Sequence, residues 1–171
     1  SISLTNGDLV LQDGINAAEN SSINLTASNL KPKGLISLGN GSINLDGSSS
    51  IVLQGATTFS KDGSLYLTTL SLNGNTFSLG SSVTDLSINN AMSIANGETL
   101  NIATSNLSMG STLTIENGGS LSSSSGNVQI MGALTLEGNL VQGGGELNMI
   151  GGGSIATGGE LDIKDSVLKM G

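Results

Sequence analysis

The chain lacks several residue types on which catalytic and metal sites depend. It has no histidine, cysteine or tryptophan, and its five basic residues are all lysines. The absence of histidine removes histidine-based catalysts and metal ligands, and the absence of arginine removes the guanidinium fork that binds phosphate or carboxylate. We therefore predict a protein that is not an enzyme and holds no cofactor or metal. The lack of cysteine is compatible with either an exported or a cytosolic protein.

Charge and aromatic content are also low. Thirteen acidic residues against five lysines give a net charge of −8, which would repel nucleic acid. Charged residues make up 11% of the chain, and its aromatic residues are two phenylalanines and one tyrosine. The surface must therefore consist mainly of serine, threonine, asparagine and glycine, and the core must consist of close-packed aliphatic side chains.

Long hydrophobic runs are missing as well. No apolar segment approaches the roughly 18 residues of a membrane-spanning helix, so we predict no membrane insertion. The chain begins at Ser1 without a basic, apolar and cleavable leader, and we expect a mature form or an excised segment. Its repeat period is unbroken and leaves no room for a linker, which predicts a single domain over residues 1–171.

What the chain does contain is a pair of apolar residues, two positions apart, that recurs about every seven residues and realigns about 21 residues on. In an extended strand both members of a pair point to the same face. The first set of pairs is Ile2/Leu4, Ile23/Leu25, Ile43/Leu45, Leu65/Leu67, Leu86/Ile88, Leu107/Met109, Val128/Ile130, Leu147/Met149 and Leu168/Met170. The second set begins at Leu9, Leu30, Ile51, Leu70, Met92, Leu113, Leu134 and Ile155. The third set, with looser spacing, begins at Ile15, Ile36, Phe59, Phe77, Leu100, Leu121, Leu140 and Leu161.

Turn-forming dipeptides separate the pairs. Examples are Asn6-Gly7, Asp46-Gly47 and Asn96-Gly97, where glycine tolerates the positive φ of a corner. Asn-Gly is also a strong hairpin signal, but a meander would not need every third strand to resemble the same predecessor. Disordered sequence would lack a phased apolar period. The pattern predicts an all-β fold: a three-sided parallel β-helix, expected to be right-handed, with about eight turns of about 21 residues.

Parallel β-helices include enzymes that act on polysaccharides with paired carboxylates. The best candidates here are Glu160 and Asp162, which flank the inward Leu161 and project from the third side. Their neighbours on the preceding turn are Asn139 and Val141, and no lysine, arginine or aromatic platform stacks beside them. Because a fold alone does not establish an activity, we predict no catalysis. A polysaccharide-binding or polysaccharide-degrading β-helix is kept as an alternative.

Calcium could bind between turns where carboxylates and carbonyl groups meet. The glycine runs at 143–145 and 151–153 superficially resemble calcium-roll repeats. They lack the aspartate and the nine-residue recurrence of those repeats, so we interpret them as turn glycines. Asp162 and Asp165 could hold at most a fortuitous ion.

The outward residues of the second side form a strip of small side chains, which we interpret as a candidate binding or lateral-contact face. The strip consists of Thr69, Ser71, Ala91, Ser93, Thr112, Thr114, Ala133, Thr135, Ser154 and Ala156. It resembles the Thr-rich faces of solenoid ice-binding proteins, although only Thr112 and Thr114 complete a Thr-x-Thr pattern. Ice binding is therefore an alternative function. A soluble β-face and a contact between two rods are the plainer interpretations.

The outward residues of the first side are mostly amides and hydroxyls, such as Asn24, Asn44, Asn106 and Gln129. Stacked amides and hydroxyls can bond to one another along the rod, and they also offer a neutral hydrogen-bonding surface to a sugar or to ice. The sequence does not decide between these uses.

The segments Gly132-Ala133-Leu134-Thr135-Leu136-Glu137-Gly138-Asn139 and Gly158-Gly159-Glu160-Leu161-Asp162-Ile163 resemble the repeats of bacterial autotransporter passengers and filamentous-haemagglutinin-type adhesins. The resemblance covers the whole rod by repeat style. It implies a secreted, extracellular or cell-surface β-solenoid that binds host or neighbouring cells and has no enzymatic activity.

The strand pattern runs from Ile2 to Met170 with no amphipathic helix or polar cap at either end, and uncapped sheet edges invite pairing. We expect either a piece of a longer solenoid or a subunit that stacks head to tail into a filament. The expected partners are other copies of the chain, through end-to-end or lateral association, or a glycan or other ligand on a cell surface.

Overall fold

The computed structural model describes residues 1–17 and 19–171 of the chain. These residues form a β-solenoid of about eight turns, in which parallel sheets stack residues about 21 positions apart. No helix occurs in the described ranges. The predicted fold class is confirmed. Each turn of the solenoid, called a coil below, contributes one short strand to each of three sides.

The first side divides into two parallel sheets. The smaller sheet contains β1 (Ile2–Thr5), β4 (Ser22–Thr26) and β7 (Ser42–Leu45). The larger sheet contains β10 (Gly63–Leu67), β13 (Val83–Ile88), β16 (Asn106–Met109), β19 (Val128–Ile130), β22 (Gly145–Met149) and β25 (Ser166–Met170). Within each sheet, the predicted apolar pairs lie opposite one another, as Ile2 does with Ile23 and Leu147 with Leu168.

The second side also divides into two sheets, each with four strands. One contains β2 (Asp8–Leu11), β5 (Asn29–Pro32), β8 (Ser50–Val52) and β11 (Leu70–Ser71). The other contains β14 (Met92–Ile94), β17 (Leu113–Ile115), β20 (Leu134–Leu136) and β23 (Gly153–Ile155). The face that these strands present to solvent is therefore interrupted between β11 and β14.

The third side is one continuous sheet of eight strands. It contains β3 (Ile15–Asn16), β6 (Gly34–Gly39), β9 (Thr57–Lys61), β12 (Thr76–Leu79), β15 (Thr99–Ala103), β18 (Ser120–Ser123), β21 (Asn139–Gln142) and β24 (Glu160–Ile163). The breaks on the other two sides fall between different coils, so at each break this sheet and one other side remain paired.

The predicted alignment of Phe59 with Phe77 on the third side is wrong. Phe77 pairs with Thr57, and Leu79 pairs with Phe59. The reason is that Thr57 occupies an inward position and is only 2% exposed. Its hydroxyl donates to the carbonyl oxygens of Pro32 and Gly55 at 3.2 and 2.9 Å, so a polar residue takes a core position that an apolar pattern does not identify.

The core is a set of stacked aliphatic columns with one aromatic contact. The inward isoleucine, leucine, valine and methionine side chains of the middle coils are buried. The rings of Phe59 and Phe77 pack in a tilted arrangement, with centroids 5.3 Å apart. The core therefore depends on close packing between coils, as the low aromatic content predicts.

Side chains secure several corners between the sides. Glu98 is only 7% exposed, and its carboxylate accepts hydrogen bonds from the backbone N–H groups of Gly74 and Ala95 at 2.7 and 2.8 Å. Because Gly74 belongs to the preceding coil, this carboxylate ties two coils together. Ser28 and Ser49 act similarly, since the Ser28 N–H donates to the Ser49 hydroxyl at 3.1 Å.

Candidate functional site

The small-residue strip of the second side lies partly on one regular sheet. Ser93, Thr114, Thr135 and Ser154 stand in register on β14, β17, β20 and β23. Thr69 and Ser71 lie on or beside β11, in the other sheet of this side. The strip is therefore continuous over the four coils that contain β14, β17, β20 and β23. It is interrupted between β14 and β11.

The predicted alignment of Ile155 with Leu134 is wrong. Leu134 pairs with Gly153, and Ile155 pairs with Leu136. The corner preceding β23 explains the shift. The chain uses the same number of residues from Met149 to Gly153 as it uses from Ile130 to Leu134 one coil earlier. The register of β23 is therefore set by the constant length of this corner, and not by matching one apolar residue with another. As a result Ser154, and not Ala156, stands opposite Thr135.

The carboxylates of Glu160 and Asp162 do not form an isolated pair. Both lie on β24, opposite Asn139 and Val141 as predicted. Lys164 forms an ion pair with Asp162, with an Nζ–Oδ2 distance of 2.9 Å. Comparing Asp162 with the residues opposite it on the preceding coil does not identify this lysine, because it lies on the same coil as Asp162. The hydrogen bond that Lys164 donates to Asp162 raises the pKa of Lys164 above its usual value. Within the described residues, no group of three or more acidic, histidine or cysteine side chains is placed to hold a metal ion.

The larger sheet of the first side carries a depression on its outer face. Its volume is about 440 Å³. Its lining consists of Tyr66, Asp85, Leu86, Ser87, Asn106, Leu107, Ser108, Asn127 and Gln129. We call this depression the Tyr66 groove.

The shape of the Tyr66 groove follows from side-chain size along one column. Tyr66, Ser87, Ser108 and Gln129 stand in register on consecutive strands of the sheet. Tyr66 is 68% exposed, whereas the two serines are short and half-buried. Strands in a sheet lie about 4.8 Å apart, so the tyrosine and the glutamine stand about 14 Å apart across the two serines.

A second column forms the polar wall of the Tyr66 groove. Asn106 Nδ2 donates to Asp85 Oδ1 at 2.9 Å, and the Asn127 N–H donates to Asn106 Oδ1 at 3.0 Å. Asn106, together with Thr84 and Ser64, donates hydrogen bonds to Asp85 and holds the pKa of that carboxyl below its usual range. Asp85 is therefore ionised at neutral pH, and the wall is fixed in place.

The last described coil presents core-type side chains to solvent. Ile155, Leu168 and Met170 are 56%, 42% and 61% exposed, although the equivalent positions one coil earlier are buried. The strands β23, β24 and β25 each pair on one edge only. We call this surface the C-terminal edge.

The sequence places the residues of the Tyr66 groove in the correct outward columns but does not identify them as a groove. The feature of the sequence that could have identified the groove is the order of side-chain sizes along one outward column, from tyrosine through two serines to glutamine. Hydrophobic periodicity does not contain that signal, because all four residues are outward positions.

Comparison of the chain with protein-family models, with curated proteins and with solved structures finds no significant match. Among the described residues there is no helix with the length and apolar character needed to cross a membrane.

Proposed function

We propose that this chain is a non-enzymatic structural and adhesive β-solenoid of the extracellular or cell-surface kind, and that its subunits stack end to end into a filament. The bacterial solenoid adhesins that the repeats resemble suggest the setting. The single observation that favours stacking is the coil-on-coil pairing of the described solenoid, whose parallel ladders and apolar columns continue from one coil to the next.

The first and last coils of the described solenoid carry matching patterns of inward apolar pairs. The first coil begins each side with an apolar pair, namely Ile2 and Leu4, Leu9 and Leu11, and Ile15 and Ala17. The last coil ends the first side with Leu168 and Met170 and the third with Leu161 and Ile163. Parallel strands of a second copy can therefore continue both the backbone ladders and the inner columns.

Apolar burial is the expected driving force. Each exposed aliphatic side chain that becomes buried contributes about 1.5–3 kcal/mol, and a head-to-tail contact of this kind repeats without closing. Lateral association through the strip on the second side is the weaker mode, because that strip consists of small polar and alanine side chains.

Electron microscopy of the purified chain over a concentration series tests the proposal. We expect unbranched fibres, one solenoid wide, that lengthen with concentration. Leu168→Lys places a charge on the inner side of β25 and is expected to abolish the fibres. Val167→Lys is the matched control, because Val167 is the outward neighbour on the same strand and is 55% exposed; this variant should still assemble.

Two results would contradict the stacking mode. Isolated short rods at every concentration would exclude self-assembly through this edge, and fibres that persist in Leu168→Lys would assign assembly to another surface. Circular dichroism of each variant shows whether the monomer is folded, so that loss of fibres is not confused with loss of structure.

Ice binding is the second candidate function, favoured by the aligned row of Ser93, Thr114, Thr135 and Ser154. Because neighbouring strands lie about 4.8 Å apart, these hydroxyl groups are spaced at that regular interval along the row. Inhibition of ice recrystallisation by the chain, and its loss in Thr114→Lys with Val167→Lys unaffected, would support this function. Recrystallisation at the rate of buffer alone would exclude it.

A further inference from the structure

We propose that the Tyr66 groove binds a neutral oligosaccharide, with the sugar lying along the rod axis between Tyr66 and Gln129. This inference rests on the adhesive part of the proposed function and names the chemical class of its ligand. It does not depend on filament assembly, which uses a different surface.

The dimensions of the groove suit a short stretch of a sugar chain. A volume of about 440 Å³ lies within the range of about 300–1,000 Å³ typical of small-molecule sites. The distance of about 14 Å between Tyr66 and Gln129, three strand spacings, leaves the two serine positions as a floor for adjoining sugar rings.

Tyr66 supplies the aromatic contact that a sugar ring needs. A ring that is 68% exposed on an otherwise polar surface gives a large rigid contact area with little conformational cost, and its hydroxyl provides a polar end. Binding sites commonly concentrate their energy in such a residue. Tyr66 is also the only tyrosine of the chain, so no second aromatic platform of this kind competes with it.

The remaining lining residues supply hydrogen bonds of both kinds. The hydroxyls of Ser87 and Ser108 and the amide of Gln129 can each donate and accept. The wall formed by Asp85, Asn106 and Asn127 is already held by its own hydrogen bonds, and Asn127 Oδ1 accepts from the Glu146 N–H at 2.9 Å. A fixed wall loses little side-chain entropy on binding.

Electrostatics determine which saccharides fit. Asp85 is the one charged side chain that lines the groove, and the chain as a whole carries a net charge of −8. Uronic acids, sulfated sugars and phosphates would be repelled. Apart from Tyr66 the lining offers no large apolar side chain at its surface, which disfavours an apolar peptide.

Titration of the whole chain with defined oligosaccharides tests the proposal. The probes are neutral linear hexasaccharides of glucose, mannose and N-acetylglucosamine, with hexagalacturonate as the acidic comparison. Because the chain has one tyrosine and no tryptophan, its tyrosine fluorescence reports Tyr66 alone. We expect a saturable fluorescence change and a calorimetric binding signal with at least one neutral probe, and none with the acidic one.

Variants separate the groove from other surfaces. Tyr66→Ala should weaken binding at least tenfold by calorimetry, whereas Tyr66→Phe, which keeps the ring, should stay within about threefold of the native chain. Ser108→Gln should fill the floor and also weaken binding at least tenfold. Ser71→Gln, the same change at an exposed serine of the second side, should have no effect.

Three outcomes would overturn the inference: no neutral probe binding at millimolar concentration, binding that Tyr66→Ala and Ser108→Gln leave unchanged, or a Tyr66-dependent association between copies of the chain with no saccharide binding. Fibre formation is scored separately by electron microscopy. Fibres without saccharide binding would exclude the groove alone, and saccharide binding without fibres would exclude the filament alone.

Discussion

At the scale of single residues, carboxylates secure corners of the solenoid. Asp46 accepts hydrogen bonds from the backbone N–H of Ala27 at 3.1 and 3.2 Å and from the Ser49 hydroxyl at 2.6 Å. The hydrogen bond from Ser49 is the largest cause that holds the pKa of Asp46 below its ordinary value of 3.8. The bonded carboxylate therefore links two consecutive coils, and it does so most strongly while it is ionised.

The pH dependence of this link can be measured. A lowered pKa in the folded chain means that the stabilising contribution is complete above the ordinary value of 3.8 and is lost as the pH falls through the lowered value. We expect Asp46→Asn to have a lower melting temperature than the native chain at pH 7, and the difference to shrink in strongly acidic buffer. Thermal melts followed by circular dichroism over a pH series check this. A difference that is constant with pH would contradict it.

Phe77 is the residue on which the aromatic part of the core depends. It is fully buried and packs on Phe59 with a centroid distance of 5.3 Å. Phe77→Ala leaves a cavity, so we expect the free energy of unfolding to fall by about 3–5 kcal/mol. Leu35→Ala, at a position that is 52% exposed, should change it by less than about 0.5 kcal/mol. Denaturant unfolding of both variants provides the comparison, and equal effects would show that the ring contact is unimportant.

At the scale of the elements, the solenoid requires backbones of adjacent coils to approach closely at certain corners. A Cβ atom added to Gly126 would overlap the carbonyl oxygen of Ser105 on the preceding coil. The Gly126 carbonyl also accepts a hydrogen bond from Gln142 Nε2 at 2.5 Å, so this corner contacts the coils on both sides. Glycine is needed here for space, since its φ lies outside the left-handed region.

We therefore expect Gly126→Ala to lower the free energy of unfolding by about 1–3 kcal/mol, as overpacked sites do. Gly47→Ala is the matched control, because nothing lies within 4 Å of an added Cβ there and its φ is also outside the left-handed region. That control should be neutral or slightly stabilising. Chemical denaturation of both variants tests the difference, and a native-like midpoint for Gly126→Ala would contradict the close approach.

At the scale of the whole molecule, each coil contacts only its neighbours, so stability should vary along the rod. The middle coils bury both inner residues of each strand, whereas the inward apolar residues of the first coil are half-buried and those of the last coil are half-buried or exposed. Repeat proteins of this kind have a stability that is approximately a sum of local and nearest-neighbour contributions.

Hydrogen exchange followed by mass spectrometry should reveal this gradient. We expect the strongest protection in the strands between residues 65 and 149 and the weakest in those of the first and last coils, because terminal units open locally without unfolding the rest. Assembly into fibres should raise the protection of the last coil specifically. Uniform exchange along the chain would instead indicate a single cooperative unit.

The sequence by itself determined the parallel solenoid, its period and nearly all of the inner columns, because every third apolar pair resembles the same predecessor, as the stacking of like strands requires. The pairs on the first side, from Ile2 to Leu168, have the predicted partners within each sheet. The tertiary structure decided what depends on geometry between coils. The buried hydroxyl of Thr57 shifted one register and the corner before Gly153 shifted another. The Tyr66 groove exists because residues far apart in the chain, with side chains of different size, stand side by side only after the coils have stacked.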